Sequence, residues 1–495
     1  MNLIPLFVAI PLGLAFLMPL LGRLSRLLPD LLGNVATLTL AALSCAMIGL
    51  PAMVYKVGGW EPVNGVPIGI YLVVDGFTVL MLLIVNIVGF AVSLYSIEYM
   101  RKYTDKPRFY TLFLLMMAGM NGVVISGDMF NLYVFLEVAA IASYALVAFG
   151  TEAEELEAAF KYQVMGTVAS GFILVGIAVL YSLTGTLNMA DMGKMLQEQG
   201  RSQGALFAGA LFLMGFGLKG AVMPFHAWLP DAHPSAPAPI SAMLSGVLIK
   251  AIGIYALCRI LFNVIGLNLT MSYILMALGA LSMIAGVFLA IGQWDMKRLF
   301  AYHSISQMGY VVMAVGIGTP LGVLGGLFHL MNHATFKSLL FLNSGAVVYS
   351  TGNRDLRKMG GLNQRMPVTG ATSLVASMSI AGIPPFNGFW SKLLIILAAV
   401  QAEYYGLAAL AVLGSIMTLA SFLKVQRYAF FGKVRPVWKK AREAPVFMCV
   451  SMIVLALLCV GMGLLLLPAA REGLLDRAAD TLTGGADYTD IVLGK

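Results

Sequence analysis

The stretch GFGLKGAVMPFHAWLP, residues 215–230, combines features that a simple membrane-spanning helix avoids. It is apolar enough for a lipid bilayer, yet it holds the ammonium group of Lys219, and Pro224 follows shortly after. Proline removes a backbone hydrogen-bond donor and clashes with the preceding helical turn. Within lipid, such a break is tolerated only where the freed groups face protein or water. The stretch therefore predicts a broken membrane helix with a charge in its interior.

The composition of the whole chain indicates an integral membrane protein. Of its 495 residues, 60% are hydrophobic and only 11% are charged, whereas soluble domains carry about 25% charged residues. The four cysteines stand singly in apolar runs, so we expect buried small side chains rather than a disulfide or metal framework. Residues 2–24 lack the basic start and the cleavage site of a signal peptide and are predicted to be a retained helix.

The apolar runs predict the number of membrane spans. A hydrocarbon core about 30 Å thick needs roughly 20 apolar residues per helix, and fourteen runs of that kind are found along the chain. The predicted fold class is therefore an all-α membrane protein with about fourteen transmembrane helices. The predicted spans lie near residues 3–22, 32–55, 70–95, 110–127, 129–150, 160–182, 205–226, 237–264, 272–292, 299–318, 321–350, 367–402, 406–431 and 444–468.

Basic residues in the predicted loops set the orientation. Seventeen Lys and Arg residues fall in odd-numbered loops, and four fall in even-numbered loops, namely Lys56, Lys194, Arg201 and Arg259. Because loops rich in Lys and Arg stay in the cytoplasm, we expect the odd-numbered loops inside and both termini outside. The net charge of +8 belongs to this pattern and does not indicate a nucleic-acid partner.

An internal repeat is visible along the chain. Three sets of residues recur in order at similar offsets: Glu137–Tyr144–Gly150 as His303–Tyr310–Gly316, Phe160–Lys161–Tyr181 as Phe328–His329–Tyr349, and Lys219–Lys250 as Lys392–Lys424. Helices 4–8 are thus predicted to recur as helices 9–13. Because each copy has an odd number of helices, the second copy must enter from the opposite side, which makes an inverted repeat as in many transporters.

The repeat predicts four units along the chain. They are residues 1–109 (helices 1–3), 110–264 (the first repeat), 265–431 (the second repeat) and 432–495 (helix 14 and a C-terminal tail). Each repeat holds a predicted helix break beside a lysine, because AGIPPFNGFWSKLL (381–394) places two prolines before Lys392. A proline kink alone is common in membrane helices, but a break beside a lysine in both repeats favours a functional interpretation.

Ionisable side chains within the predicted spans are the candidates for chemistry. A charged side chain at the bilayer centre costs about 2.5–3.5 kcal/mol. Four of them, Glu137, Lys219, Lys250 and Lys392, would together cost on the order of 10–14 kcal/mol if unpaired. We therefore expect pairing, water contact or function. A purely structural Glu137–Lys219 ion pair and a Lys250 that reaches an interface are the alternatives.

Two histidines and a lysine share one helical face in LFHLMNHATFKSLLF, residues 327–341. The spacing of His329 and His333 also suits a metal, but no carboxylate or thiol in the same span completes a ligand set. We predict proton handling and no metal site, with a hydrogen-bonded structural pair as the alternative. Lys337, one turn further along, is predicted to be a relay or a packing residue.

Other charged residues are predicted to have peripheral roles. Lys424 and Arg427, at the cytoplasmic end of the thirteenth span, could line a proton inlet or outlet, and His303 is a further candidate relay. Lys161 either pairs with the carboxylate four residues earlier or serves at an inlet. Asp75, which opens the third span, is predicted to cap or pack its helix.

The way such groups titrate suggests a mechanism. Burial disfavours the charged form of a lysine, whereas a nearby carboxylate favours it. A Glu137–Lys219 pair thus has a closed and an open state. When it is open, Lys219 passes its proton through water towards Lys250, the two histidines and finally Lys392. We predict a hydrated row of titrating side chains across the middle of the membrane, with helix breaks that admit water.

Three stretches carry a resemblance to a known family: residues 216–255, NHATFKSLLFLNSG (332–345) and AGIPPFNGFWSKLL (381–394). They resemble the antiporter-like subunits of respiratory complex I, of Mrp-type cation/proton antiporters and of membrane-bound hydrogenases. The resemblance spans helices 3–13 and implies two inverted five-helix bundles with broken helices 7 and 12. It also implies that the functional residues of the family are Glu137, Lys219, Lys250, His329, His333 and Lys392.

The resemblance favours the D subunit of an Mrp-type Na⁺/H⁺ antiporter or a membrane-bound hydrogenase equivalent. The positions of the glutamate and the lysines suit the Mrp D subunit, and Lys392 disfavours the complex I type that has glutamate there. The two histidines are instead similar to the larger complex I type, to the Mrp A subunit and to hydrogenase subunits. The implied protein is a multi-pass subunit in a bacterial or archaeal cell (inner) membrane. Its implied partners are other membrane subunits and the bilayer, with protons and, as a candidate, Na⁺ as transported ions.

Two alternatives stay open. One is a proton-pumping membrane subunit of complex I (NADH:quinone oxidoreductase), and the other, of a different class, is a self-sufficient secondary transporter. The sequence has no Cys cluster, dinucleotide-binding glycine motif or haem motif, so we expect no cofactor and no redox chemistry of its own. It could still be a subunit of an ion-translocating oxidoreductase. The charged row argues against a purely structural scaffold.

Overall fold

The computed structural model describes residues 3–63, 65–103, 105–200 and 202–494, and most of these are α-helical. Arg201, one of the four predicted even-loop charges, lies outside the described residues. Within the described ranges, ten helices are long and apolar enough to cross a membrane, and three shorter apolar helices accompany them. The predicted class of an all-α membrane protein is thus confirmed, while the count of fourteen spans remains a prediction.

The α-helices follow one another closely along the chain. Their bounds are Leu6–Leu24 (α1), Leu28–Ala46 (α2), Gly76–Tyr99 (α3), Lys106–Ile125 (α4), Met129–Val147 (α5), Ala153–Thr184 (α6), Met189–Gln199 (α7), Gln203–Lys219 (α8), Leu229–Ser235 (α9), Ala238–Met243 (α10), Ala256–Asn263 (α11), Leu269–Ile291 (α12), Met296–Ile317 (α13), Pro320–Thr351 (α14), Pro367–Ala381 (α15), Asn387–Gln401 (α16), Tyr405–Val425 (α17), Val446–Gly461 (α18), Pro468–Ala470 (α19), Arg477–Thr483 (α20) and Gly485–Leu493 (α21). The wider π-helical hydrogen bonding continues them at Leu244–Tyr255, Gln426–Phe430 and Arg471–Asp476.

A short antiparallel hairpin precedes α3, and the hydropathy pattern did not predict it. Strand Met53–Lys56 (β1) pairs with strand Tyr71–Val74 (β2). Both strands are mostly apolar, so hydropathy alone merges them with the second and third spans. Their valine and tyrosine side chains fit a pleated surface better than a helix. The connection between α2 and α3 therefore holds a hairpin and belongs to neither helix.

Both predicted helix breaks coincide with helix ends. Helix α8 ends at Lys219, and the next helix begins only at Leu229. Helix α15 ends at Ala381, and α16 begins at Asn387. The span predicted at 367–402 is thus divided into two helices at its prolines, whereas in the span predicted at 205–226 the helix ends before Pro224 and the next helix begins beyond the span.

Protein groups satisfy the backbone at the first break. The indole of Trp228 donates to the carbonyl of Leu218 at 2.9 Å, and the backbone N–H of Met223 donates to the Ser282 hydroxyl at 2.9 Å. Trp228 is buried, so its bond lies inside the protein. Irregular backbone at membrane depth is stable when its polar groups are paired in this way.

Side chains of α14 support the second break. The backbone carbonyl of Asn387 accepts the amide N–H of Asn332 at 3.0 Å, and its side-chain amide donates to Thr335 at 3.2 Å. The Ser379 hydroxyl of α15 donates to the Asn387 side chain at 2.8 Å and links the two half-helices. All four residues are buried. Hydrogen bonds within the protein therefore hold the two half-helices in place at the break.

Matching helix ends occur in the two predicted repeats. Helices α6 and α14 both have 32 residues, and each ends at a left-handed glycine, Gly185 with φ 70° and Gly352 with φ 67°. Asp128 and Asp295 cap α5 and α13 with their side chains, and each forms a backbone bridge to the loop that follows the next long helix. These matches support the inverted repeat and its four units, which remain predictions.

A buried ion pair joins the start of α3 to α11. Asp75 caps α3 by accepting the backbone N–H of Thr78 at 2.9 Å, as expected for a capping aspartate. Arg259, predicted to be a loop charge, instead lies in α11 with 1% of its surface exposed. Its guanidinium donates to one Asp75 oxygen at 2.8 Å and lies 2.8 Å from the other. Tyr488 of α21 packs over the guanidinium at 4.9 Å, so the C-terminal helix is attached here.

Candidate functional site

The first charged group of the site is an ion pair between α5 and α8. The Lys219 ammonium lies 3.5 Å from Glu137 Oε1 and donates to the Tyr144 hydroxyl at 3.3 Å. The Ser170 hydroxyl of α6 donates to the same glutamate oxygen. The lysine side chain is 1% exposed, whereas 27% of the glutamate side chain is exposed. Because Lys219 is the last residue of α8, its charge also lies at the negative end of the helix dipole.

Lys250 lies in the π-helical stretch Leu244–Tyr255. Its ammonium is fully buried and donates to the Ser245 carbonyl at 2.5 Å. In the part of the chain that the structure describes, it forms no ion pair with a carboxylate. Gly253 of the same stretch packs on Gly220, where a Cβ would come within 2.7 Å of the Gly220 Cα. This close approach brings the end of α8 against the segment that carries Lys250.

The two histidines of α14 have different surroundings. His329 Nδ1 lies 2.9 Å from the Ser391 hydroxyl, and its Nε2 lies 3.2 Å from the side-chain oxygen of Gln307. His333 is fully buried, and neither of its ring nitrogens has a hydrogen-bond partner among the described residues. The two rings are 6.4 Å apart at a shallow angle. His329 is thus held in place on both sides, whereas His333 offers two free nitrogens.

Lys392 lies close to His329 at the second break. Its ammonium donates to the Ile380 carbonyl at 2.8 Å, near the C-terminal end of α15, where a cation is favoured. The ring of Tyr310 lies 4.8 Å from this ammonium and 5.6 Å from the His329 ring. Only 3% of Lys392 is exposed. The second break therefore positions a buried lysine next to a histidine, as the first positions one next to a glutamate.

Two further candidates are buried beside this cluster. The Lys337 ammonium donates to the carbonyl of Phe300 and lies 5.7 Å from the ring of Phe341. His303 Nε2 lies 2.8 Å from the Ser421 hydroxyl of α17. Both side chains are fully buried. They are near enough to the central groups for their charges to interact.

The remaining two candidates lie at the edge of the site. Lys161 is 47% exposed and pairs with Glu157 at 2.7 Å, as predicted, and also with Asp231 at 3.1 Å. The Lys424 ammonium donates to the carbonyls of Ile291 and Gln293 at 2.6 and 2.7 Å, at the end of α12. Neither contacts the central lysines directly.

The candidate residues are electrostatic neighbours. His333 lies within range of the charges of Lys250, Lys337 and Lys392, and His329 within range of Lys250 and Lys392. The structure thus places the six principal candidates in two groups, the Glu137–Lys219 pair and a cluster of two lysines and two histidines. The segment that carries Lys250 packs against the end of α8 and so links the two groups through the backbone. The second group contains lysines and histidines and no carboxylate. A proton can therefore pass there only from a protonated lysine or histidine to a neutral one.

Several polar residues of this region were missed by the sequence interpretation. Ser170, Ser391 and Gln307 bond directly to the candidate residues, but uncharged side chains give no warning signal in an apolar run. His233 is fully buried with both ring nitrogens unpartnered among the described residues, and it lies within range of Lys250 and Lys337. Its position in a proline-rich stretch concealed it. Across the described ranges, no three His, Cys, Asp or Glu side chains come together in a metal-binding arrangement.

The sequence and fold match a known family. A family model described as NADH:quinone oxidoreductase/Mrp antiporter, transmembrane, matches residues 126–418, which is more than half of the chain and contains all six principal candidates. The chain belongs to this family. A second model, described as NADH-ubiquinone oxidoreductase (complex I), chain 5 N-terminus, matches residues 60–110. The predicted resemblance is thereby confirmed.

Individual members of the family are similar to the chain over nearly its full length. The D subunit of the Na(+)/H(+) antiporter of Alkalihalophilus pseudofirmus is 35% identical over 441 residues, which cover 89% of this chain and 88% of that protein. The N subunit of NADH-quinone oxidoreductase of Desulforudis audaxviator is 36% identical over 483 residues, with 93% and 95% covered. A chain in the solved structure of the Mrp complex from Dietzia sp. DQ12-45-1b superposes with a TM-score of 0.91 at 28% identity and 99% coverage of both chains.

Family membership settles the general character of the chain. It is a multi-pass, antiporter-like membrane subunit, and its relatives are subunits of multisubunit membrane complexes. The chain therefore has other membrane subunits as partners. The predicted class of function is confirmed at this level.

Proposed function

We propose that the chain is a proton-translocating subunit of an Mrp-type Na⁺/H⁺ antiporter, equivalent to the Mrp D subunit, or its counterpart in a membrane-bound hydrogenase. One observation carries the proposal: two buried lysines, Lys219 and Lys392, each lie at a helix break in the membrane interior. A buried ammonium is costly unless it is paired or functional. Similarity to the D subunit of the Alkalihalophilus pseudofirmus antiporter and to the Mrp complex supports Na⁺ as the exchanged ion.

Protons are proposed to move along the row Glu137, Lys219, Lys250, His333, His329 and Lys392. The 3.5 Å separation of Lys219 from Glu137 supports a pair that can open, because it is longer than the bond of a tight ion pair. His333 supports the central step, since a buried imidazole without a protein partner in the described chain is free to bond to water. Lys337, His303, Lys161 and Lys424 are proposed to tune or feed this row.

The cytoplasmic side is proposed to be the face with the basic loops. Lys102 donates to the Tyr349 carbonyl, the Ser350 hydroxyl donates to the Arg442 carbonyl, and Trp438 donates to the Lys358 carbonyl. These bonds join the loops after α3, α14 and α17 on one face. The three helices correspond to the predicted spans 3, 11 and 13, whose loops are all odd-numbered. The positive-inside rule then supports a cytoplasmic position for this face and an outer position for both termini of the chain in a bacterial or archaeal cell membrane.

A neighbouring subunit is proposed to cover the face formed by α5 and α6. Glu137 exposes 27% of its side chain there, and the apolar side chains about one helical turn before and after it, Val134 and Ile141, are exposed as well. A carboxylate facing lipid in the membrane interior is unfavourable. A partner on this face would complete the burial of the pair.

Replacement of Lys250 by methionine tests the proposed row. Methionine fills a similar volume without a buried charge, so Lys250→Met is expected to fold at least as stably as the native protein. It should nevertheless reduce Na⁺-driven proton movement in membrane vesicles about a hundredfold. Lys194→Met, at a partly exposed lysine of α7 that pairs with Glu198 outside the proposed row, is the control and should keep most of the transport. Normal transport by Lys250→Met would remove this residue from the row.

A second candidate function is a proton-pumping subunit of complex I. The 36% identity to the N subunit of an NADH-quinone oxidoreductase favours it. The proteins that co-purify with the chain distinguish the two functions. Hydrophilic iron–sulfur proteins would indicate complex I or a hydrogenase, and small membrane proteins alone would indicate an Mrp antiporter.

A further inference from the structure

The largest cavity among those described lies on the basic face, and none of its lining residues belongs to the proton row. It has a volume of about 840 Å³ and opens between the α1–α2 loop and the α3–α4 loop. Four basic side chains line it, Arg26, Arg101, Lys102 and Lys106, against two acidic ones, Asp30 and Asp105. The transport mechanism uses none of these residues.

The two acidic residues of the cavity are already neutralised. Asp30 accepts the Lys106 ammonium at 2.6 Å and the Tyr110 hydroxyl at 3.0 Å. Asp105 pairs with Arg108 at 3.0 Å, outside the cavity. The remaining three basic residues are therefore not balanced by carboxylates of the cavity wall.

These three basic residues are available to a ligand. Arg26 is exposed and makes no ion pair within the described part of the chain. Among the described residues, the hydrogen-bond partner of Lys102 is the Tyr349 carbonyl at 2.9 Å, and the ammonium packs on the Tyr349 ring at 4.0 Å. Arg101 pairs with Glu98 at 2.9 Å and keeps 61% of its side chain exposed. The cavity thus presents a concentration of positive charge that fits an anionic group such as a phosphate.

The surroundings of the cavity indicate where that phosphate comes from. Leu24 and Leu27, at the junction of α1 and α2, are 77% and 73% exposed, and Leu20 and Leu31 on either side are each 59% exposed. Leu27 lines the cavity itself, and the four leucines together expose apolar side chains along the two helices and the loop that joins them. A free phosphate has no use for such a surface, whereas the acyl chains of a lipid do.

We propose that this cavity binds the phosphate headgroup of an anionic phospholipid, with its acyl chains along the exposed leucines of α1 and α2. Basic pockets between membrane helices on the cytoplasmic side are suited to such headgroups. Only 22% of the residues in the apolar stretch of α1 are buried in the protein, so most of this stretch is not covered by the rest of the chain. The bound lipid would connect α1 and α2 to the loop after α3.

The test compares lipid binding by the native complex and two triple variants. The complex is purified in mild detergent and titrated with phosphatidylglycerol, with phosphatidylcholine and with inorganic phosphate, and bound lipid is counted by native mass spectrometry. Arg26→Gln/Arg101→Gln/Lys102→Gln removes the three available cations. Lys433→Gln/Lys439→Gln/Lys440→Gln removes three exposed cations of the same face outside the cavity and is the control.

Phosphatidylglycerol is expected to bind the native complex more tightly than phosphatidylcholine. Because each basic residue near an anionic membrane surface contributes about fivefold in affinity, the cavity variant should lose about a hundredfold, and the control variant should lose little. Equal binding by the cavity variant, or equal affinity for phosphatidylcholine, would overturn the proposal. Displacement of the lipid by inorganic phosphate alone, or cross-linking of an acidic segment of a neighbouring subunit into the cavity, would also overturn it.

Discussion

Lys219→Ala and Glu137→Ala should each abolish proton coupling while the subunit still assembles with its partners. Among the described lysines of the proposed row, only Lys219 contacts a carboxylate. Its loss therefore removes the first proton carrier of the row. Proton uptake driven by a Na⁺ gradient in inverted vesicles should fall about a hundredfold or more. Assembly is measured separately as the yield of co-purified subunits.

Lys219→Arg separates a titrating role from a structural one. Arginine keeps the positive charge and can pair with Glu137, but its guanidinium does not release a proton in proteins. Transport should therefore be lost in Lys219→Arg as it is in Lys219→Ala. Lys194→Arg, the same change at the exposed pair with Glu198, should transport normally. Full activity of Lys219→Arg would mean that the ion pair only stabilises the fold.

Asp75→Asn should destabilise the protein by about 3–5 kcal/mol, because it leaves the buried Arg259 without its counter-charge. Asparagine retains the capping oxygen for the Thr78 N–H, so the loss of the ion pair is isolated from the loss of the cap. The effect is measured as the change in free energy of unfolding, or in Tm at matched detergent concentration. The C-terminal helix, which contacts Arg259 through Tyr488, should become more accessible to protease.

Asp105→Asn is a matched control for this change. Asp105 also caps a helix and also pairs with an arginine, but the Arg108 side chain is 81% exposed. Exposed pairs contribute about 0–1 kcal/mol, so the control should change stability little. Replacing both partners, in Asp75→Asn/Arg259→Gln, should recover part of the loss, since no unpaired charge is then buried. Equal stability of Asp75→Asn and Asp105→Asn would contradict the assignment.

The apolar helices and their breaks could be predicted because lipid offers no hydrogen-bond partners for an irregular backbone. Long apolar runs are helices in lipid, and proline removes a backbone donor, so helix ends just before Pro224 and Pro384 could be predicted. Helix α1, by contrast, continues through Pro11 and Pro19. The charged candidates stood out because a charge is costly in lipid. Their contacts, including the 3.5 Å approach of Lys219 to Glu137, agree with the predicted pairing.

Other features depend on tertiary packing that no local pattern encodes. Arg259 and Asp75 are far apart along the chain, and nothing in either segment indicates that they meet. The hairpin of β1 and β2 is apolar and hides within the hydropathy of two spans. The two nitrogens of His233 have no sequence signature, because a buried histidine and a surface histidine of a proline-rich loop look alike. Uncharged partners such as Ser170 become visible only when helices are assembled.

A high-resolution cryo-electron microscopy map of the whole complex in lipid nanodiscs tests the central claim most directly. The claim is that water connects Lys219, Lys250, His333 and Lys392 into one row inside the protein. The map should show ordered waters bridging successive members of this row, with hydrogen bonds to the ring nitrogens of His333. Dry gaps too wide for a few waters between these side chains, or side chains turned towards lipid, would contradict it.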